Sequence, residues 1–308
     1  MYDIPILIIV FNRPEKFQKL INNLKKIKPD NIYIFADGPR IGNNKDKELC
    51  KQTRAIVSEI NWQCKVKSLF LNKNSGINLG VCSAINWFFK HEEFGIILED
   101  DCLPIKDFFK FIKLLKNKYS KSNNIGIISG NNFIKNRNKD SYSFSKWAHI
   151  WGWATWKKNW DKFDYELNFW KNFKNSKKWK ELNSNFEEYK TFTHLYNLSN
   201  DNKKKNLISW DYRWMLNLWY NNFVNIIPNY NLVENIGFDE EATHTFVKDN
   251  KLIYNTKTLK MPLKHPKKIT NDEILDKKIF YAVYYKKSNF LFEFLKKIKF
   301  FFLNFLNE

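Results

Sequence analysis

Apolar residues fall in short unbroken runs along the first third of the chain, separated by stretches where they recur at helical spacing. Residues 4–13, IPILIIVFNR, have the length and composition of a strand buried on both faces. PEKFQKLINNLKKI follows with apolar positions three and four apart, and Pro14 suits the first turn of a helix. NIYIFADGPR predicts a second strand that ends in a Gly-Pro turn, Lys45 to Ile60 an amphipathic helix, and VKSLFLN a third strand. After a turn at NSGINLG, a helix from about Val81 to Lys90 precedes a fourth strand, GIILEDD. Such alternation argues for an α/β fold with a parallel sheet flanked by helices. Ligands on such sheets bind beyond the carboxyl ends of the strands. Arg13, Asp37, Asn74 and the run Glu99, Asp100, Asp101 all fall at predicted strand ends.

The acidic run is the chemically unusual feature. Adjacent carboxylates repel one another, so holding three together costs stability unless a cation or a ligand's donors sit there. An acidic solvated turn is the plain alternative. Six of the nine glycines (Gly38, Gly76, Gly80, Gly95, Gly126, Gly130) also lie near these strand ends. In a glycine-poor chain they mark positive φ, close ligand approach or ordinary loops. Neither GxGxxG nor GxxxxGK[ST] occurs, which excludes a dinucleotide fingerprint and a P-loop.

From about residue 140 the texture changes. Ten of the twelve tryptophans lie between Trp147 and Trp219, several in WAHIWGWATWKKNW. Most are expected inside a helical layer, while Trp151 to Trp156, around Gly152, are candidates for lining a cleft where aromatic faces stack on sugars or bases. The last twenty residues, NFLFEFLKKIKFFFLNFLNE, carry too many charges for a spanning helix. Their broad apolar face beside lysines predicts a helix lying in a membrane interface over residues 289–306, with packing on the chain's own domain as the alternative.

Composition narrows the partners. The formal net charge of +20 favours anionic partners: nucleic acid, an acidic membrane surface or phosphorylated small molecules. The lysines are scattered and no nucleic-acid motif is recognisable, so nucleic acid is not expected. The first apolar run lacks a basic leader and is too short for a span. The four cysteines show no CxxC and no zinc spacing. Both features predict a cytoplasmic protein with reduced thiols, placed by its tail at the inner face of the cytoplasmic membrane.

PILIIVFNR, IFADG, the strand ending in EDD and the later SWDYRW, taken in that order, resemble the N-acetylglucosaminyltransferase I family and its small bacterial relatives. The resemblance covers roughly residues 4 to 245. It implies an inverting glycosyltransferase of the GT-A fold, with a mostly parallel, Rossmann-like sheet. It also implies roles at matching positions. Arg13 and Asp37, with Asn74 nearby, would grip the nucleobase end of a nucleotide-sugar donor, a UDP-sugar. Glu99 and Asp100 would contact the ribose region, Asp101 would bind Mn²⁺ (or Mg²⁺), and Asp211 would be the catalytic base. The family's second acid after that tryptophan is Tyr212 here. Asp211 could equally be a capping acid near Ser209. In NIGFDEEATHT, Glu240, Glu241 and His244 could bring a metal ligand or a phosphate contact, or form a surface feature.

The resulting expectation is a metal-dependent hexosyl- or N-acetylhexosaminyltransferase acting on a glycan or lipid-linked glycan acceptor, in lipopolysaccharide, capsule or other surface-glycan synthesis. Residues 1–135 would bind the nucleotide-sugar, 136–265 would bind the acceptor and supply the base, and 266–308 would form a helical tail. The alternatives are a sugar-phosphate nucleotidyltransferase and a non-enzymatic basic module that binds membrane or nucleic acid. The nucleotidyltransferase would be expected to carry a glycine-rich loop after the first strand, where this chain has FNRPEKF.

Overall fold

The apolar runs of the first third become the centre of the fold. β1 (Ile6–Val10), β2 (Asn31–Ala36), β3 (Lys65–Phe70) and β4 (Phe94–Glu99) alternate with α1 (Pro14–Leu24), α2 (Asn44–Ala55) and α3 (Gly76–Phe88). The structure is a computed structural model and describes residues 2–134, 139–183, 185–201, 203–237 and 255–285. Beyond β4 come β5 (Cys102–Pro104), α4 (Lys106–Tyr119), β6 (Ile125–Ser129), β7 (Tyr142–Ser145) and β8 (Trp153–Trp156). Three short helices follow, α5 (Lys157–Trp160), α6 (Trp170–Phe173) and α7 (Lys177–Leu182), then α8 (Phe186–Asn197) and α9 (Trp210–Tyr220). The described part closes with β9 (Val224–Pro228), β10 (Val233–Asn235) and α10 (Glu273–Ile279).

Eight strands form one sheet in the order β3-β2-β1-β4-β8-β6-β9-β7. β3, β2, β1 and β4 are parallel, as the alternation predicts. β8 enters antiparallel between β4 and β6, β9 is parallel to β6, and β7 closes the far edge antiparallel to β9. The sheet is therefore mostly parallel, and helices flank it. One edge of the sheet gathers the carboxyl ends of β1, β2, β4, β6 and β9 together with the start of β8. β3 sits at the other end of the order, largely exposed, with Lys65 and Lys67 along it. Charged side chains there discourage further strand pairing.

Apolar burial is divided between the two faces of the sheet and a third, aromatic layer. Ile6, Ile8, Ile32, Ile34, Ile96 and Leu98 pack with Phe17 and Leu20 of α1 and Phe108 and Ile112 of α4. On the other face Leu7, Ile9, Phe35 and Ile97 meet Val81, Ile85 and Phe88 of α3 and Trp210 and Trp214 of α9. Alternation along each strand assigns these sets to opposite faces. The third cluster gathers Trp147, Trp170, Trp179, Phe192 and Trp219 with Ile279 and Phe280. Each such side chain, fully buried, contributes about 1.5–3 kcal/mol.

Two differences from the sequence reading have physical causes. The helix expected from Val81 begins at Gly76, because the apolar face of α3 outweighs the low helix propensity of its two early glycines. Gly76 itself, at φ +74°, makes the turn into that helix. The chain after residue 266 is also tied to the core as far as residue 285. Ser145 Oγ donates to Asp276 Oδ1 at 2.5 Å, and Trp147 Nε1 donates to the Asp276 carbonyl at 2.9 Å. Residues 289–306, expected at a membrane surface, lie outside the described residues. Among the described residues, no helix is long and apolar enough to cross a membrane.

Candidate functional site

The turn after β2 is built around one carboxylate. Asp37 accepts hydrogen bonds from the Gly38 N–H at 2.8 Å, the Ser75 N–H at 2.9 Å and Asn74 Nδ2 at 3.0 Å. Asn74 also donates to the Gly38 carbonyl, and its Oδ1 accepts from the Gly76 N–H. Asp37 and Asn74 thus join the end of β2 to the start of α3. Burial raises the Asp37 carboxyl above its ordinary range, opposed by the surrounding N–H groups.

The acidic run has its cation within the chain. Arg13, at the amino end of α1, donates from Nε to Asp100 Oδ2 at 3.2 Å and from a terminal nitrogen to Asp101 Oδ2 at 3.0 Å, while its other terminal nitrogen pairs with Asp100 Oδ1. Burial works against the Arg13 charge, but Asp100 and Asp101 outweigh it and hold the guanidinium above its ordinary pKa. Asp100 is fully enclosed, and burial pushes it up to about 7 against the pull of Arg13. Glu99 rises to about 8, through burial first and then the Asp101 charge. Asp101 is covered by the chain that follows β10: the Ile236 N–H donates to the Asp101 carbonyl at 2.9 Å. Gly237 passes so close that a Cβ there would run into the Asp101 carboxylate.

These groups enclose a cavity of about 440 Å³ beyond the ends of β1, β2 and β4. Arg13, Asp37, Asn74, Glu99 and Asp100 all line it, so the structure brings five of the sequence-predicted residues to one wall. Asp101 sits beside them through Arg13. A second polar group lines the same cavity: Asp46 accepts from Asn12 Nδ2 at 2.9 Å and from Arg40 Nε at 2.5 Å. The Arg40 guanidinium also lies 5.8 Å from the centre of the Phe11 ring. Asn12, Arg40 and Asp46 were not legible as site residues, since each sits in an ordinary turn or helix start. The usable signal was Asn43, whose Oδ1 caps the helix at the Asp46 N–H and fixes where that acid points.

Asp211 lies in the first turn of α9, with Ser209 Oγ donating to its Oδ1. Asn78 of α3 latches this helix start, accepting from the Trp210 N–H at 2.9 Å. The Trp210 ring stacks on Trp153 at the start of β8, centroids 6.2 Å apart. Asp211 is therefore brought to the same sheet edge, and its charge adds to the field at Glu99. Tyr212, where the resembled family has an acid, turns its ring towards Tyr284 in the aromatic layer. Glu240, Glu241 and His244 lie outside the described residues. Among the described residues, no three His, Cys, Asp or Glu side chains gather as a metal cage. Asp101 offers one carboxylate, already partnered by Arg13, so a cation fits here only together with oxygens of a bound ligand.

Comparison with known proteins adds the following. No family model matches the chain, and a search of curated proteins finds no match. The chain has a distant likeness to several solved structures. HddC from Yersinia pseudotuberculosis is 14% identical at a TM-score of 0.33, over 55% of this chain and 85% of that one. A UDP-glucose pyrophosphorylase is 10% identical at a TM-score of 0.29, over 51% of this chain and 78% of that one. A 4-diphosphocytidyl-2C-methyl-D-erythritol synthase from Anaerococcus prevotii is 11% identical at a TM-score of 0.29, over 57% of this chain and 79% of that one. Likeness at this level assigns no activity.

Proposed function

We propose that the chain is a glycosyltransferase that takes a sugar from a UDP-sugar donor and passes it, with inversion, to a hydroxyl of a glycan or lipid-linked glycan. The observation that carries this reading is the meeting, at one sheet edge, of a cavity that mixes apolar walls with charged and amide groups and a carboxylate distant in sequence. Arg13, Asp37, Asn74, Glu99 and Asp100 line the cavity, and Asp211 adds its charge beside Glu99. In this reading the cavity takes the nucleoside, and the diphosphate lies towards Arg13 and Asp101. Asp211, held by Ser209, takes the proton of the acceptor hydroxyl as that oxygen bonds to the anomeric carbon, and the bond to the diphosphate breaks with its electron pair leaving on UDP. A positioned base of this kind contributes roughly 10²–10⁴-fold. A divalent cation, Mn²⁺ or Mg²⁺, held by Asp101 with diphosphate oxygens, would offset the charge of the leaving group. The basic composition and the apolar tail support an acceptor at a membrane surface.

A sugar-phosphate nucleotidyltransferase is the second reading, with the names of the similar structures beside it. Against it, the turn after β1 is Phe11, Asn12, Arg13 and Pro14, with no glycine to let backbone N–H groups cradle a triphosphate. A panel of nucleotide-sugars, with Mn²⁺ and with EDTA, separates the two. Slow metal-dependent release of UDP and free sugar is expected. Pyrophosphate release from UTP plus a sugar 1-phosphate, with every nucleotide-sugar left intact, would overturn the proposal.

A further inference from the structure

Of the ten tryptophans between Trp147 and Trp219, nine are buried, and Trp151 alone keeps part of its surface in solvent. Its place follows from where β8 begins. In β8, Trp153 faces Ile97 of β4 on one side and Ser129 of β6 on the other. Both ladders end at Trp153, and past Gly152, which turns the chain at φ +66°, Trp151 lies beyond the carboxyl ends of β4 and β6, beside Asn131. The Trp151 N–H donates to Asn131 Oδ1 at 3.1 Å. His149 Nδ1 lies 3.2 Å from the Asn131 carbonyl oxygen. The Phe133 ring packs against both His149 and Trp151, at centroid distances of 4.6 Å and 4.7 Å.

Among the described residues, two polar atoms beside Trp151 are without a hydrogen-bond partner. Asn131 Nδ2 and His149 Nε2 are both enclosed, in residues 0% and 1% exposed. Burying polar atoms unmatched is costly, so they call for a hydroxyl or a water. Burial lowers His149 to about 4 and keeps the imidazole neutral; with Nδ1–H donating to the Asn131 carbonyl, Nε2 is left as an acceptor. An indole at a ligand edge, framed by an unmatched amide and an unmatched imidazole, has the chemistry of a sugar site: an apolar face with hydrogen-bonding groups beside it.

We propose that Trp151, framed by Asn131 and His149, is the platform of a saccharide subsite at the sheet edge where β4 and β6 end. The indole carries the apolar face of a pyranose ring, and the Asn131 amide and His149 imidazole beside it meet its hydroxyls. The identity of the ligand rests on the nucleotide-sugar reading above. The ring belongs either to the donor or to the acceptor, and the chemistry is the same for both.

Saturation-transfer NMR on the full chain tests this. One arm contains UDP with methyl glycosides of glucose, galactose and N-acetylglucosamine, and the other contains the corresponding UDP-sugars. Ring-proton saturation is expected in at least one arm. Signal from methyl glycosides marks an acceptor site, and signal from UDP-sugars alone marks the donor sugar. Trp151→Ala should weaken saccharide binding by about tenfold, equivalent to a lost aromatic contact. UDP affinity by calorimetry should stay within about twofold of the parent chain. Trp151→Phe, the gentler change, should retain part of the saccharide signal with the parent's melting behaviour. Saccharide affinity unchanged in Trp151→Ala, or no ring-proton saturation in either arm of the parent chain, would overturn the platform. Should UDP itself fail to bind the parent chain, the nucleotide reading falls, and the methyl glycosides alone decide the platform.

Discussion

Around β1, β2 and β4 the buried polar groups are carboxylates, and they are paired with arginines, amides and backbone N–H groups at the rim of a cavity. Asp37 holds the start of α3, Asp46 holds Arg40, and Asp100 and Asp101 share Arg13. Around β7, α8 and α9 several indole N–H groups are matched inside an aromatic layer, beside one enclosed ion pair, Lys146 with Glu188, and the buried Asp276. Trp147 donates to the Asp276 carbonyl, Trp219 to the Lys146 carbonyl at 2.8 Å and Trp179 to Thr193 Oγ1 at 2.9 Å. A buried indole with its N–H matched adds apolar area without an ionic cost. A cluster of buried acids is tolerable only while its counter-charge stays in place. The first region is thus built to face a ligand, and the second to hold the first in position.

This contrast yields predictions that can break it, the largest first. Arg13→Ala removes the counter-charge from two carboxylates and should cost about 3–5 kcal/mol in urea unfolding, with loss of nucleotide binding. Arg13→Lys should recover only part, because an ammonium lacks the fork that spans Asp100 and Asp101. Trp219→Ala should cost a comparable amount, about 3–5 kcal/mol, yet leave UDP affinity unchanged wherever the fold survives. A matched fall in affinity would mean that the aromatic layer shapes the pocket directly. Asp211→Asn should leave stability and UDP binding nearly intact while lowering the transfer rate by roughly 10²–10⁴-fold, measured as kcat on the donor found by the panel.

The smallest expected effect concerns pH. Burial raises Asp276 to about 7, with Ser145 and Lys146 opposing. The folded chain therefore keeps a proton that the unfolded chain gives up from about pH 4 upwards. The stability from that difference is fully present below about pH 4 and drains away as pH rises towards 7. Asp276→Asn, which does not titrate, should flatten part of the decline in Tm across that window. A Tm profile parallel to the parent's would show that Asp276 is ionised throughout.

Much of the first region was legible in the sequence because strand burial and strand ends leave local signatures. The runs at residues 4–13 and 95–101 mark two central strands, and the strand-end rule picks out Arg13, Asp37, Asn74, Glu99 and Asp100, all of which line one cavity. The pairing of Arg13 with the acidic run was not legible, because the partners are brought together by adjacent strands β1 and β4 and no local spacing encodes that. The antiparallel entry of β8 between β4 and β6 was equally hidden, since a four-residue strand carries no mark of direction. Of Trp151, Trp153 and Trp156, expected as candidates for lining a cleft, the structure buries Trp153 and Trp156 and leaves Trp151 partly exposed. Gly152, at φ +66°, breaks the strand between buried Trp153 and partly exposed Trp151, and no spacing of tryptophans encodes that break.

The central claim is that the cavity at the ends of β1, β2 and β4 holds the nucleotide of a sugar donor. Diffraction from crystals soaked with UDP and Mn²⁺ tests it most directly. The account predicts nucleotide density between Arg13, Asp37 and Glu99, with the diphosphate towards Asp101. Well-ordered UDP bound elsewhere on the chain, with that cavity filled only by water, would contradict it.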